Sequence, residues 1–322
     1  MLNRRRLSAL ALALAAPSIA HAQSRPLRLV IPFPPGGTTD VVGRLLAQAL
    51  TETTGQAVVA ENRPGAGGAL GAAEVARAAP DGSVLLMTNA SFPLNSLVLE
   101  VAGRAPYRLV QDFAPVVQVI NVHVVLATHP GTTGADLRAY LAMVRDQRLQ
   151  HFYGSTGPGS FLHLVFEILQ REAGVRLEQV AYRGAAPLMQ DLIAGRLQIG
   201  GDQLPTSLAH LRAGTVRGVA TTASRRNPLV PDLPTVAELG LGAAEIDSWN
   251  GIFAPAATPP DVVARIARDI TAVLAGGELR RRLTEMTAEP VGGSPEVMGQ
   301  TFTAQIARFR PVIEQLRITP EG

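Results

Sequence analysis

Short apolar runs alternate with amphipathic stretches along most of the chain. Residues 27–31 (Leu-Arg-Leu-Val-Ile) read as a buried strand halted by prolines. A helix then starts at Thr38 or Thr39. It carries Val41, Val42, Leu45, Leu46, Ala49 and Leu50 on one face and stops at Gly55. A strand over 57–60, a helix over 70–78, a turn at Pro80-Asp81-Gly82 and a strand over 84–87 follow. Strand–helix alternation with short connections predicts a parallel α/β sheet.

The rhythm changes at 116–119 and 122–127, which read as strands joined without a helix. Beyond them the alternation resumes. Helices are predicted over 160–173 and 186–194, and strands over 179–182, 197–199 and 216–221. A strand over 249–254 then returns to the first unit, and helices over 260–274 and 295–316 close the chain. One α/β unit interrupted by another, with two crossings, is the plan of a hinged receptor. The expected division is a leader over 1–22, a first lobe over 23–121 and 249–322, and a second lobe over 122–248. About 300 residues also exceed what one core comfortably serves.

The first residues have the pattern of an export signal. Arg4, Arg5 and Arg6 precede an apolar run from Leu7 to Ala16, and Ala20-His21-Ala22 fits a cleavage site. The run is short of the roughly 20 residues that span a bilayer. Export to the periplasm, with cleavage near Ala22, is therefore expected. Removing three arginines from the 29 basic residues leaves 26 against 26 acidic ones. A balanced mature chain argues against a nucleic-acid binder.

The chain has no cysteine and no lysine. That excludes a disulfide scaffold, a thiol nucleophile, a Schiff-base lysine and a Walker-type phosphate lysine. Six scattered histidines lack metal-ligand spacing, so neither metal nor cofactor is expected.

Two glycine-rich segments open helices, Pro32-Phe33-Pro34-Pro35-Gly36-Gly37-Thr38-Thr39-Asp40 and Gly154-Ser155-Thr156-Gly157-Pro158-Gly159-Ser160. Such loops aim unpaired N–H groups and the positive helix end at one spot. In the first, the amides of Gly36, Gly37, Thr38 and Thr39, supported by the threonine hydroxyls, would hold an anion. A plain strand-to-helix turn with a threonine cap fits the same residues. Residues 62–71 lack the third glycine of a dinucleotide fingerprint. Their glycines either admit the same ligand or allow close helix packing. Ser160 and His163, with Asp202, invite a secreted serine hydrolase as the alternative. No G-x-S-x-G surrounds either Ser155 or Ser160, and Ser160 reads better as a helix cap that also donates to an anion. Asp202 follows a predicted strand end, as a turn residue or as an acceptor for a ligand amine, hydroxyl or water.

Six segments together resemble the Bug family of periplasmic solute receptors, the binding components of tripartite tricarboxylate transporters. They begin with Val30-Ile31-Pro32-Phe33-Pro34-Pro35-Gly36-Gly37-Thr38-Thr39-Asp40, Glu61-Asn62-Arg63-Pro64-Gly65-Ala66-Gly67-Gly68 and Ala78-Ala79-Pro80-Asp81-Gly82. Tyr182-Arg183-Gly184-Ala185-Ala186-Pro187, Asp232-Leu233-Pro234-Thr235-Val236-Ala237-Glu238 and Trp249-Asn250-Gly251-Ile252-Phe253-Ala254-Pro255 complete the set. The resemblance implies a two-lobed, type II-like Venus-flytrap fold that binds a small organic carboxylate without catalysis. It implies delivery to a membrane permease or a sensor, and a monomer is expected. Carried over by position, it assigns Phe33, Gly36, Gly37, Thr38 and Thr39 to one carboxylate, and Ser155, Gly157, Gly159, Ser160, His163 and Asp202 to the second lobe. The stretch 88–95, with Asn89, and the bulky Pro158 and Phe161 depart from the pattern where the distal end of a ligand would lie.

Overall fold

Val30 and Ile31 are fully buried at the end of the first strand, Leu27–Ile31 (β1), which lies between Val58–Asn62 (β2) and Val84–Asn89 (β3). Both pairings are parallel. The computed structural model describes residues 25–132, 134–147 and 150–320, so the expected leader lies outside the described residues. The helix Thr38–Thr54 (α1) follows β1 and buries Val42, Leu46 and Leu50 against the sheet. Each such side chain contributes about 1.5–3 kcal/mol. Gly55 ends the helix in the left-handed conformation, its N–H donating to the Thr51 carbonyl. A short 3-10 turn precedes the helix Ala69–Ala76 (α2), and Ser91–Val101 (α3) follows β3.

The sheets are mixed rather than parallel. The first has the order β11-β4-β10-β3-β1-β2, where Phe113–Val122 (β4), Ser248–Pro255 (β10) and Glu289–Gly292 (β11) add three antiparallel pairings. The reason is connectivity. β4 passes straight into Val124–Thr128 (β5) of the second sheet with no crossover helix, and β10 returns from it. Strands that travel between sheets need not follow the βαβ rule that keeps neighbours parallel.

The second sheet has the order β7-β6-β8-β5-β9. Phe152–Ser155 (β6) pairs parallel with Glu178–Ala181 (β7) and Ile199–Gln203 (β8). β5 runs antiparallel to β8 and to Arg217–Thr221 (β9). Leu137–Gln147 (α4), Phe161–Ala173 (α5), Ala185–Ile193 (α6) and Leu204–Arg212 (α7) belong to this half. Pro260–Ala275 (α8), Gly277–Glu285 (α9) and Pro295–Leu316 (α10) return to the first half. There α10 buries Phe302, Ile306 and Phe309. The result is a two-lobed α/β arrangement of two mixed sheets, with the chain crossing between the lobes.

Candidate functional site

The loop between β1 and α1 forms one wall of a cavity of about 520 Å³, lined by residues from both sheets. Gly36 adopts φ +94°, a conformation that disfavours any side chain, and this turns the chain into the helix. Its N–H donates to Asp40 Oδ2 at 3.0 Å, while Asp40 Oδ1 accepts from Asn62 Nδ2 and Arg44 Nε. Burial pushes the Asp40 carboxyl up, but the bonds from Asn62, Gly36 and Arg44 outweigh it and hold the group below its ordinary value. Gly36 is thus bound internally and does not line the cavity. The next three residues do. Among the described residues, the N–H groups of Gly37, Thr38 and Thr39 have no acceptor, and all three residues border the cavity. Phe33 and Asn89 lie on the same wall.

The threonine hydroxyls behave differently from expectation, because other residues already take their protons. Thr206 Oγ1 donates to Asp202 Oδ2 at 2.5 Å, which leaves the Thr38 hydroxyl to donate to Thr206 at 3.0 Å, across the two lobes. Thr39 Oγ1 donates to Asn250 Oδ1 at 2.7 Å and accepts from Asn89 Nδ2 at 2.9 Å. From Asn250 the network continues to Gln203 Oε1, and Gln203 Nε2 donates to Ser248 Oγ.

On the second lobe the expected loop is largely self-satisfied. Gly157 N–H donates to Ser155 Oγ, Gly159 N–H to His163 Nδ1, Ser160 N–H to the Gly157 carbonyl and Phe161 N–H to Ser91 Oγ. Gly157 lines the cavity with Thr156, Phe161 and Leu162, whereas Ser155, Gly159, Ser160 and His163 do not. Ser160 caps α5, its Oγ accepting from His163 N–H at 3.4 Å.

No nucleophile–base pair exists here. His163 Nδ1 already accepts from Gly159, and its Nε2 lies 3.8 Å from Glu167. Burial lowers the His163 pKa against the opposing pull of Glu167. Among the described residues Asp202 makes no hydrogen bond to Ser160 or His163. It sits inside β8 rather than after a strand end, reaches the cavity, and accepts from Thr206 and from Gln203 N–H at 2.7 Å. Burial pushes its pKa up to about 6, against the lowering effect of those two bonds.

Two further parts of the wall come from segments whose role the sequence left open or unassigned. One is Ala66, Gly67 and Gly68 with Asn95, whose Nδ2 donates to the Gly67 carbonyl. The other is the run from Ala181 to Ala185, entering α6. The N–H groups of Arg183, Gly184 and Ala185 have no acceptor among the described residues. Gly184 faces Pro34 so closely that a Cβ there would lie 3.1 Å from the proline ring. The pairing of a tight glycine with a facing proline, distant in sequence, is invisible without the fold.

A cavity between two lobes, with free amides at a helix start, matches a known group of proteins. The family model of the tripartite tricarboxylate transporter family receptor matches residues 42–318. The chain belongs to that family. Tripartite tricarboxylate transporter receptors are binding proteins, not enzymes, and the serine hydrolase alternative falls with that assignment. Among solved receptors, the periplasmic binding protein BugD is 30% identical, with a TM-score of 0.84 over 92% of this chain and 99% of its own. Rpa4515 of R. palustris, solved with adipate, is 34% identical, with a TM-score of 0.86 over 92% of this chain and 98% of its own. MatC from Rhodopseudomonas palustris, with bound malate, is 31% identical, with a TM-score of 0.83 over 90% and 99%.

Proposed function

We propose that this periplasmic transport receptor captures a small organic carboxylate between its lobes, with one carboxylate held on the amides of Gly37, Thr38 and Thr39. The observation that carries the reading is three consecutive free N–H groups at the start of a 17-residue helix, opening into the cavity between the lobes. A hydrogen bond to a charged group contributes roughly 1.5–3 kcal/mol, and the helix end adds up to about 2 kcal/mol. Less the cost of association, that is consistent with micromolar affinity, about −8.2 kcal/mol. The adipate and malate held by similar proteins support an acid ligand.

In this reading the leader over 1–22 is removed near Ala22 and the protein acts as a monomer. The lobes comprise 23–121 with 249–322, and 122–248, hinged near the strand ends at Val122 and Ser248. Bound acid is handed to a membrane permease or a sensor; neither nucleic acid nor cofactor takes part. Trp249, buried on β10 beside cavity-lining Ser248, is the single tryptophan and reports closure. A panel of mono-, di- and tricarboxylates is expected to raise the melting temperature and change Trp249 fluorescence saturably for at least one member. No response across the panel would sink the proposal.

A further inference from the structure

The charged side chains that line the cavity are Asp40, Arg183 and Asp202. Two of them are already accommodated. Asp40 is matched by Arg44, Asn62 and the Gly36 amide, and Asp202 accepts from Thr206 and Gln203. Arg183 has neither an acidic partner nor a carbonyl acceptor among the described residues, although most of the described arginines are paired. It is exposed at the cavity, on the second lobe, one residue before the Gly184 that meets Pro34 of the first.

We infer that Arg183 is the specificity-determining residue for a second acid group, pairing with the far carboxylate of a dicarboxylate whose near carboxylate rests on the first-lobe amides. The inference rests on the carboxylate reading above and adds to it the chemistry of the ligand's other end. A guanidinium offers a planar fork that matches a carboxylate bidentately. Over a methyl-ended tail it would gain nothing, and closure would strip it of water without replacement. The free amides of Gly184 and Ala185 beside it add donors on the same side. The poles lie on opposite lobes, which approach closely enough that a Cβ added at Gly37 would lie 4.0 Å from the Ala185 Cβ, so a diacid would tie the lobes together by its two ends.

The test is calorimetric titration of the full mature protein with matched acids: succinate, glutarate, adipate and pimelate against butanoate, pentanoate, hexanoate and heptanoate. Wild type is expected to prefer the diacid at the best-fitting length. Arg183→Gln should reduce that preference about tenfold, and Arg183→Lys should restore part of it. The melting temperature without ligand serves as the fold control, because Arg183 makes no side-chain hydrogen bond or ion pair among the described residues. A wild type that binds acids without favouring diacids, or an R183Q protein that keeps the preference, overturns the inference and leaves the carboxylate reading intact. A wild type that binds neither series overturns both.

Discussion

At the residue scale, the site is governed by which protons are already committed. Thr38 and Thr39 look from the sequence like hydroxyl donors to a ligand, but their partners, Thr206 and Asn250, come from far along the chain. The free amides of Gly37, Thr38 and Thr39 were legible, because the first N–H groups of a helix have no partner within it, whereas the capture of the Gly36 amide by Asp40 was not. Asp202 was legible as a candidate, but neither its place inside β8 nor its state was. Its pKa of about 6 arises from burial that only the folded lobes provide. The sign follows from linkage. Unfolded, the group titrates near 3.8, so between that value and about 6 the native protein holds a proton that the unfolded chain has released. The stabilising contribution is complete below the lower value and lost as pH rises through the upper one, up to about 3 kcal/mol in all. Asp202→Asn is therefore expected to gain stability relative to wild type between about pH 4 and about pH 7, as parallel denaturant titrations would measure. A difference between the two proteins that stays flat with pH would refute the assignment.

At the element scale, the strands and helices with clear periodicity were legible, including the stop of α1 at Gly55 and the cap of α5 at Ser160. Others escaped for physical reasons. The first eight residues of α3 are all buried, so it shows no polar face to set a period. α7 begins directly from β8 with no intervening loop, which hides the change from strand to helix. The antiparallel pairings of β4, β5 and β10 depend on where the chain crosses, which local pattern does not encode. Ser160 belongs to this scale, as the cap of α5 set back from the cavity lining. Ser160→Ala is expected to cost about 1 kcal/mol of stability, within a range of 0.5–2. Carboxylate affinity should stay within about twofold, since one hydrogen bond to a bound ion, worth roughly 1.5–3 kcal/mol, would cost far more. A large loss of affinity with unchanged stability would restore Ser160 to the ligand's first contacts.

At the scale of the whole molecule, function depends on two lobes meeting, and the Pro34–Gly184 contact is where bulk would oppose it. Gly184 has φ 179°, extended backbone that any residue adopts, so the objection to a side chain is contact alone. Gly184→Val is expected to leave the melting temperature of the ligand-free protein nearly unchanged. It should weaken binding by about 1–3 kcal/mol and leave the ligand-saturated protein with a larger radius of gyration in small-angle scattering. Equal affinity and equal radius would show that the lobes do not close there. The hinged plan was legible because a helix-free pair of strands marks the crossing, and six separated motifs fell in order along the chain. The wall from Ala181 to Ala185 acquired its meaning only when the fold set it opposite Pro34 and Gly37. That arrangement bears on how such a receptor diversifies. The amides of residues 37–39 belong to the main chain, so exchanging one ordinary side chain for another cannot delete the donors. On the proposed reading, new ligand preferences arise on the facing wall, where single codon changes alter charge and reach while the main-chain grip on one acid group stays in place.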